Sequence, residues 1–166
     1  MADFKIGFHT MDEDNFSNTN YSEVIKTLTA IANRGKGTKG YVLIGIADKK
    51  KDAERFYAFY GQKYIKVGNF YICGVQAEIA KDYIDSEQYR RIFETELRRM
   101  NIEPDYYISQ ILEKMEFVDY YDKSILILEI EGRDDPIKFD GTYYIRQNTS
   151  TVPEKNERQL WQRFLL

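Results

Sequence analysis

A chain of 166 residues, 43% hydrophobic and 31% charged, has one domain's length and buries roughly 70% of the surface its unfolded chain exposes. No apolar run approaches the roughly 18 residues of a spanning helix, and Asp3 and Lys5 follow Met1 where a leader's apolar core would stand, so a cytoplasmic protein is expected. The balance of 24 Lys and Arg against 27 Asp and Glu gives a net charge of −3, which excludes a uniformly basic nucleic-acid binder and leaves room for one that gathers positive charge on a single face.

Cys73 is the sole cysteine, so an intrachain disulfide and a cysteine-based zinc site are excluded. His9 is the sole histidine and falls in a polar loop, which leaves Ser-His-Asp, Cys-His and His-rich metal chemistry without support. Residues 2–8 alternate as a strand, with Phe4, Ile6 and Phe8 on one face and Asp3, Lys5 and Gly7 on the other. Residues 9–20 read as a loop. Asn20 with Glu23 has the capping-box spacing, and Val24, Leu28, Ile31 and Ala32 predict a helix with one buried face. Gly35, Gly37 and Gly40 close it, and the apolar run 41–47 predicts a strand covered on both sides.

Residues 49–60 read as a basic turn entering a short helix that Gly61 ends, and Gly68-Asn69 joins residues 64–67 and 70–75 as a hairpin. A short helix is expected at 77–83. Ser86 is the expected cap of a longer one, whose stripe is Tyr89, Ile92, Phe93, Leu97 and Met100. Pro104 ends that region, and residues 108–115 stay open between a helix and the lead-in to a strand. Residues 116–120 and 124–131 form a second hairpin, the latter at the centre of the sheet. After a turn at 132–136, Asp140-Gly141 joins 137–139 to 143–146 in a tight hairpin. Pro153 stands where a first helical residue should, with Thr151 as cap, and Leu160, Trp161, Phe164 and Leu165 form the inner face of a last helix.

Three of these stretches carry a resemblance in their order along the chain. Asp3-Phe4-Lys5 is similar to the Glu-Phe-Lys strand of the Schlafen-type AlbA-like domain. Ala30-Ile31-Ala32-Asn33, the glycine turn and Val42-Leu43-Ile44-Gly45-Ile46-Ala47-Asp48 resemble its Ala-Phe-Ala-Asn helix end, Gly-Gly turn and Leu-Ile-Gly-Val-Asp strand. Tyr143-Tyr144-Ile145-Arg146-Gln147-Asn148-Thr149-Ser150-Thr151 is similar to its Tyr-Arg-x-Gly-Ser-Ser segment. The resemblance implies one α+β domain over 1–166: a mixed, mostly antiparallel sheet of about six strands with helices packed on it. Residues 49–85 exceed the family's usual length there and read as a helix-hairpin insertion. The chain departs from the pattern at Asp3 for Glu, at Ala47 where an acid is common, and at Asn148 for Gly, although Asn tolerates a left-handed backbone. A second family Glu would precede Met1, so a piece of a longer protein is expected.

The turn at 34–40 is no Walker loop, which runs from strand to helix; here the order is helix, turn, strand. Two basic features remain. Lys36 and Lys39 on this turn either touch a nucleic-acid backbone or are simply solvated. Arg146, with Thr149, Ser150 and Thr151, either supplies phosphate and sugar donors or belongs to a loop that caps the last helix. The resemblance implies binding of DNA or RNA without catalysis or cofactor, as a module of a larger regulatory or defence-type protein. It also implies an alternative, a ribonuclease dependent on magnesium or manganese with Asp3 and Asp48 as metal ligands, whose third acid this chain lacks. A third expectation is an assembly module, a homodimer or a contact with a neighbouring domain through Trp161, Phe164 and Leu165. No membrane association is expected.

Overall fold

The computed structural model describes residues 1–165. Strand β1 (Ala2–Lys5) leads through a polar loop with a single 3-10 turn (Glu13–Asn15) into helix α1 (Tyr21–Ala32), then β2 (Lys39–Ile44) and β3 (Ile46–Ala47). Next come α2 (Lys50–Tyr60), β4 (Ile65–Val67), β5 (Phe70–Ile72), α3 (Gln76–Asp82) and α4 (Ser86–Arg99). After β6 (Ile102–Glu103) and α5 (Tyr106–Lys114), the chain forms β7 (Glu116–Tyr120), β8 (Lys123–Glu131), β9 (Lys138–Phe139), β10 (Thr142–Gln147), β11 (Ser150–Pro153) and α6 (Glu157–Gln162). The fold is α+β.

The described residues form three sheets in place of the expected single sheet of about six strands, with strand orders β1-β2-β8-β7, β11-β10-β9-β6 and β3-β5-β4. β1 runs parallel to β2, Asp3 opposite Val42, and the other pairings of the first sheet are antiparallel. β8 lies inside the sheet, as its apolar residues Ile125 to Leu128 and Ile130 predict. Helix α1 lies between the first sheet and β10, touching both. It is therefore buried on nearly every side, down to Thr29, Ala30 and Ala32, and not on the one face that periodicity predicted. Such small side chains let two sheets approach one helix. Gly40 belongs to the same close approach. It sits inside β2 and not in the turn, and a Cβ there would lie 2.4 Å from Ile31 Cγ2.

Asn33, at the C-cap of α1, ties the layers together. Its Nδ2 donates to the carbonyls of Ile137 (2.9 Å) and Tyr144 (2.8 Å), and its Oδ1 accepts from the Ile137 amide at 2.7 Å. The main core gathers Phe8, α1, α4, α5 and the inner residues Val42, Ile44, Leu126 and Leu128.

Several local expectations are corrected. Phe4 and Phe8 do not share a face: the strand ends at Lys5, so Phe8 turns into the main core while Phe4 packs with Leu43 and Ile127 on the other side of the sheet. Within the run 41–47, residues 41–44 alternate between half-buried and buried, the strand breaks at Gly45, whose φ is +110°, and Ile46 and Ala47 are both buried. Asn20 does not cap α1, because its Nδ2 donates to the Gly7 carbonyl instead. Asp85 rather than Ser86 caps α4, Ile92 points outward, and residues 106–114 are helical. Pro153 ends strand β11 and Asn156 caps α6, so Thr151 is a strand residue. The polar residues of β11 hid that strand. Asn148 carries the left-handed backbone expected of it, with φ +56°.

Candidate functional site

A cleft of about 640 Å³ opens where β1 and β3 end and α1 and α2 begin. Lys5, Lys49 and Arg55 bring positive charge to its wall, Asp3, Asp48 and Asp52 bring negative charge, and Thr10, Asn20 and Thr149 bring neutral polar groups. Asp52 and Arg55, three residues apart, lie on one side of α2, and Asp48 stands between the end of β3 and the start of that helix. Asn20 and Lys49 hold the N-cap positions of α1 and α2, and neither side chain caps its helix. Both helices thus present uncapped first-turn amides, and the positive ends of two dipoles, beside the same space.

Asp3 is bracketed by cations. Lys5 Nζ lies 3.4 Å from its Oδ2 and Arg146 Nη2 3.7 Å from its Oδ1. Arg146 reaches in from β10, where its Nη1 donates to Thr151 Oγ1 at 2.9 Å. Behind Gly7 and His9 of the cleft wall, Glu78 of α3 is buried and accepts from the amides of Phe8 (3.0 Å) and His9 (2.7 Å) and from the Tyr89 hydroxyl. Burial raises its carboxyl above the usual range, and these bonds oppose the rise. His9 is fixed as well. Its Nδ1 donates to the Phe16 carbonyl at 2.6 Å, its Nε2 meets the Tyr83 hydroxyl at 2.5 Å, and its ring stacks on Phe16. With both nitrogens engaged, His9 is a structural residue of the cleft wall.

The residues singled out from the sequence are divided between the two ends of α1, about 18 Å apart over its 12 residues. At the C-terminal end, Lys36 pairs with Asp134 at 3.0 Å and its amide donates to the Arg163 carbonyl, while Lys39 is exposed at the start of β2. At the N-terminal end, Thr149 lines the cleft, Ser150 is exposed beside it, and Thr151 is taken up by Arg146. Lys5, Lys49 and Arg55 were not singled out as site residues; the basic run 49–51 directly after Asp48 was a signal for Lys49 alone.

Asp3 and Asp48 line the same cleft. Among the described residues, however, no three His, Cys, Asp or Glu side chains stand close enough to hold a metal ion, and both oxygens of Asp3 face cations. The residues as arranged do not fit the ions of a two-metal site, and no step is derived through them. The last helix covers its own chain: Leu160 and Phe164 pack on Tyr143, Ile145 and Val152, with Trp161 half-buried and Leu165 exposed. No described helix is long and apolar enough to cross a membrane.

A family model described as Schlafen, AlbA_2 matches residues 2–155. Among solved structures, the chain is similar to the DIP2311 protein from Corynebacterium diphtheriae, at 15% identity and a TM-score of 0.52, a likeness of fold. That match covers 98% of this chain and 23% of the other, so this chain spans less than a quarter of that protein's length. No curated protein matches.

Proposed function

We propose that this chain, which belongs to the Schlafen, AlbA_2 family, binds the phosphodiester backbone of DNA or RNA in the cleft at the start of α1 and α2. The family supports a nucleic-acid-related role. The observation that carries the narrower reading is the convergence of Lys5, Lys49 and Arg55 with two uncapped helix starts on one opening. Cations and amide groups are what hold a phosphate backbone, and they do so without reading bases. Thr149 and Ser150 at the tip of the β10–β11 hairpin add hydroxyl donors, with Thr151 holding Arg146 behind them. Lys36 and Lys39, at the far end of α1, serve as a second contact for a longer strand.

In this reading the domain spans 1–166 as one unit and works as a non-catalytic module of a larger regulatory protein. The inserted segment 49–85 supplies Lys49 and Arg55 to the cleft wall, and its Glu78 holds the Phe8 and His9 amides behind that wall. Fluorescence anisotropy with short labelled oligonucleotides tests it: Lys49→Glu and Arg55→Glu each weaken binding, and equal binding by both variants and the wild type sinks the proposal. One rival keeps its own test, although Asp3 and Asp48 share the cleft without an arrangement that fits a metal ion. RNA cleavage that requires magnesium or manganese and disappears in Asp48→Ala would establish a ribonuclease instead.

A further inference from the structure

The Arg146 side chain is nine-tenths buried, yet poorly bonded. Its exposure is 9%, its Nε has no hydrogen-bond partner, and its contact with Asp3, at 3.7 Å, is too long for a directed N–H···O bond. Thr151 alone receives such a bond from it. A guanidinium withdrawn from water without its bonds is an unfavourable state that a better-placed anion relieves. Arg146 does not itself line the cleft. Asp3 does, and so does Thr149 from the same hairpin. The carboxylate of Asp3 therefore stands between this cation and whatever enters, while its other oxygen holds Lys5 at 3.4 Å.

From this arrangement we infer that Asp3 is an internal competitor of the ligand: it occupies a phosphate position, holds Lys5 and Arg146 when the cleft is free, and yields Arg146 to an incoming backbone phosphate. The inference rests on the proposed binding of nucleic acid in this cleft. Asp3 is anchored on β1 by a short side chain and reaches one nitrogen of Arg146 loosely. A phosphodiester carries two free oxygens and can take Nε and Nη2 together, the side-on bidentate geometry that suits guanidinium. Asp3 then sets affinity downward, the opposite sign from a metal ligand.

The test is anisotropy with a labelled single-stranded oligonucleotide on wild type, Asp3→Asn, Asp3→Glu and Lys49→Glu, each checked for folding by circular dichroism. Removing the competing charge makes Asp3→Asn bind about three- to tenfold tighter. Asp3→Glu, one methylene longer, closes the gap to Arg146 and binds more weakly than wild type. An Asp3→Asn protein that binds no tighter overturns the inference. Where Lys49→Glu still weakens binding in that series, the cleft reading stands and the competitor falls alone; where Lys49→Glu is also silent, both fall. Should Asp3→Asn fail to fold, the wild type decides by NMR. The Arg146 Nε–Hε resonance shifts on titration with inorganic tripolyphosphate if Nε gains an acceptor, and an unmoved resonance overturns the inference.

Discussion

Replacing Asn33 by Ala removes three hydrogen bonds, and each lost partner is a main-chain group that water does not reach easily. The amide of Ile137 and the carbonyls of Ile137 and Tyr144 all lose their Asn33 contact in one step, at a residue with 0% exposure. A buried hydrogen bond contributes about 1 kcal/mol net, and a group left unpaired costs about 1–3 kcal/mol. Partial relaxation brings the sum to about 3–5 kcal/mol, a large share of the roughly 5–15 kcal/mol that holds a domain together. Urea unfolding followed by fluorescence should show the midpoint falling at unchanged slope, and a thermal melt should drop by about 6–20 °C. Asn33→Asp separates the contributions: a carboxylate still accepts from the Ile137 amide but faces two carbonyl oxygens with nothing to donate. It should be no more stable than Asn33→Ala. A loss under about 1 kcal/mol for Asn33→Ala would refute the view that this side chain clamps α1 to β9 and β10.

Gly40→Ala places a methyl group 2.4 Å from Ile31 Cγ2 and should cost about 1–3 kcal/mol through overpacking, read by the same urea titration; a neutral result would mean that β2 and α1 have room to part. Glu78 gives a pH dependence of stated sign. Its carboxyl binds the proton more tightly folded than unfolded, so its contribution to stability is present below the ordinary value of 4.5 and is lost as pH rises through the raised folded value. The stability of wild type relative to Glu78→Gln should therefore decline as pH increases from about 4.5, and a flat difference would contradict the burial of that charge. Cys73 is buried and its thiol is pushed up to about 12, so it should resist a thiol reagent at pH values near neutrality until the protein is unfolded; immediate labelling would show that the α2–β5 packing opens readily.

Much of the fold was legible because its local signals agree with its tertiary contacts. Asp140-Gly141 turns a hairpin with φ values of +50° and +78°, and residues 125–130 lie in the central strand that their apolar run requires. Tyr89, Phe93 and Leu97 are all fully buried on α4. What was misjudged depended on neighbours distant in sequence. The second sheet, packed on the far side of α1, cannot be inferred from one helix's periodicity. Asn20 prefers Gly7, thirteen residues earlier, to its own helix. Of the cleft, Asp3, Asp48 and Thr149 were singled out from the sequence, but not Lys5, Lys49 or Arg55. Lys36 and Arg146 look equivalent as cations at a turn, yet one is paired at the surface with Asp134 and the side chain of the other is withdrawn beside Asp3. The cleft itself depends on β1 lying parallel to β2, a long-range pairing that brings residues 3–10 beside residues 46–55.

The measurement that bears most directly on the cleft is a salt series of oligonucleotide binding by wild type, Lys49→Glu, Arg55→Glu and Lys36→Glu. The account predicts affinity that falls steeply with salt, a slope of log affinity against log salt reduced by about 0.7–0.9 for each cleft cation that contacts a phosphate, and little change in Lys36→Glu on a short strand. Binding that ignores Lys49→Glu and Arg55→Glu, or that depends more on Lys36 than on either, would contradict it.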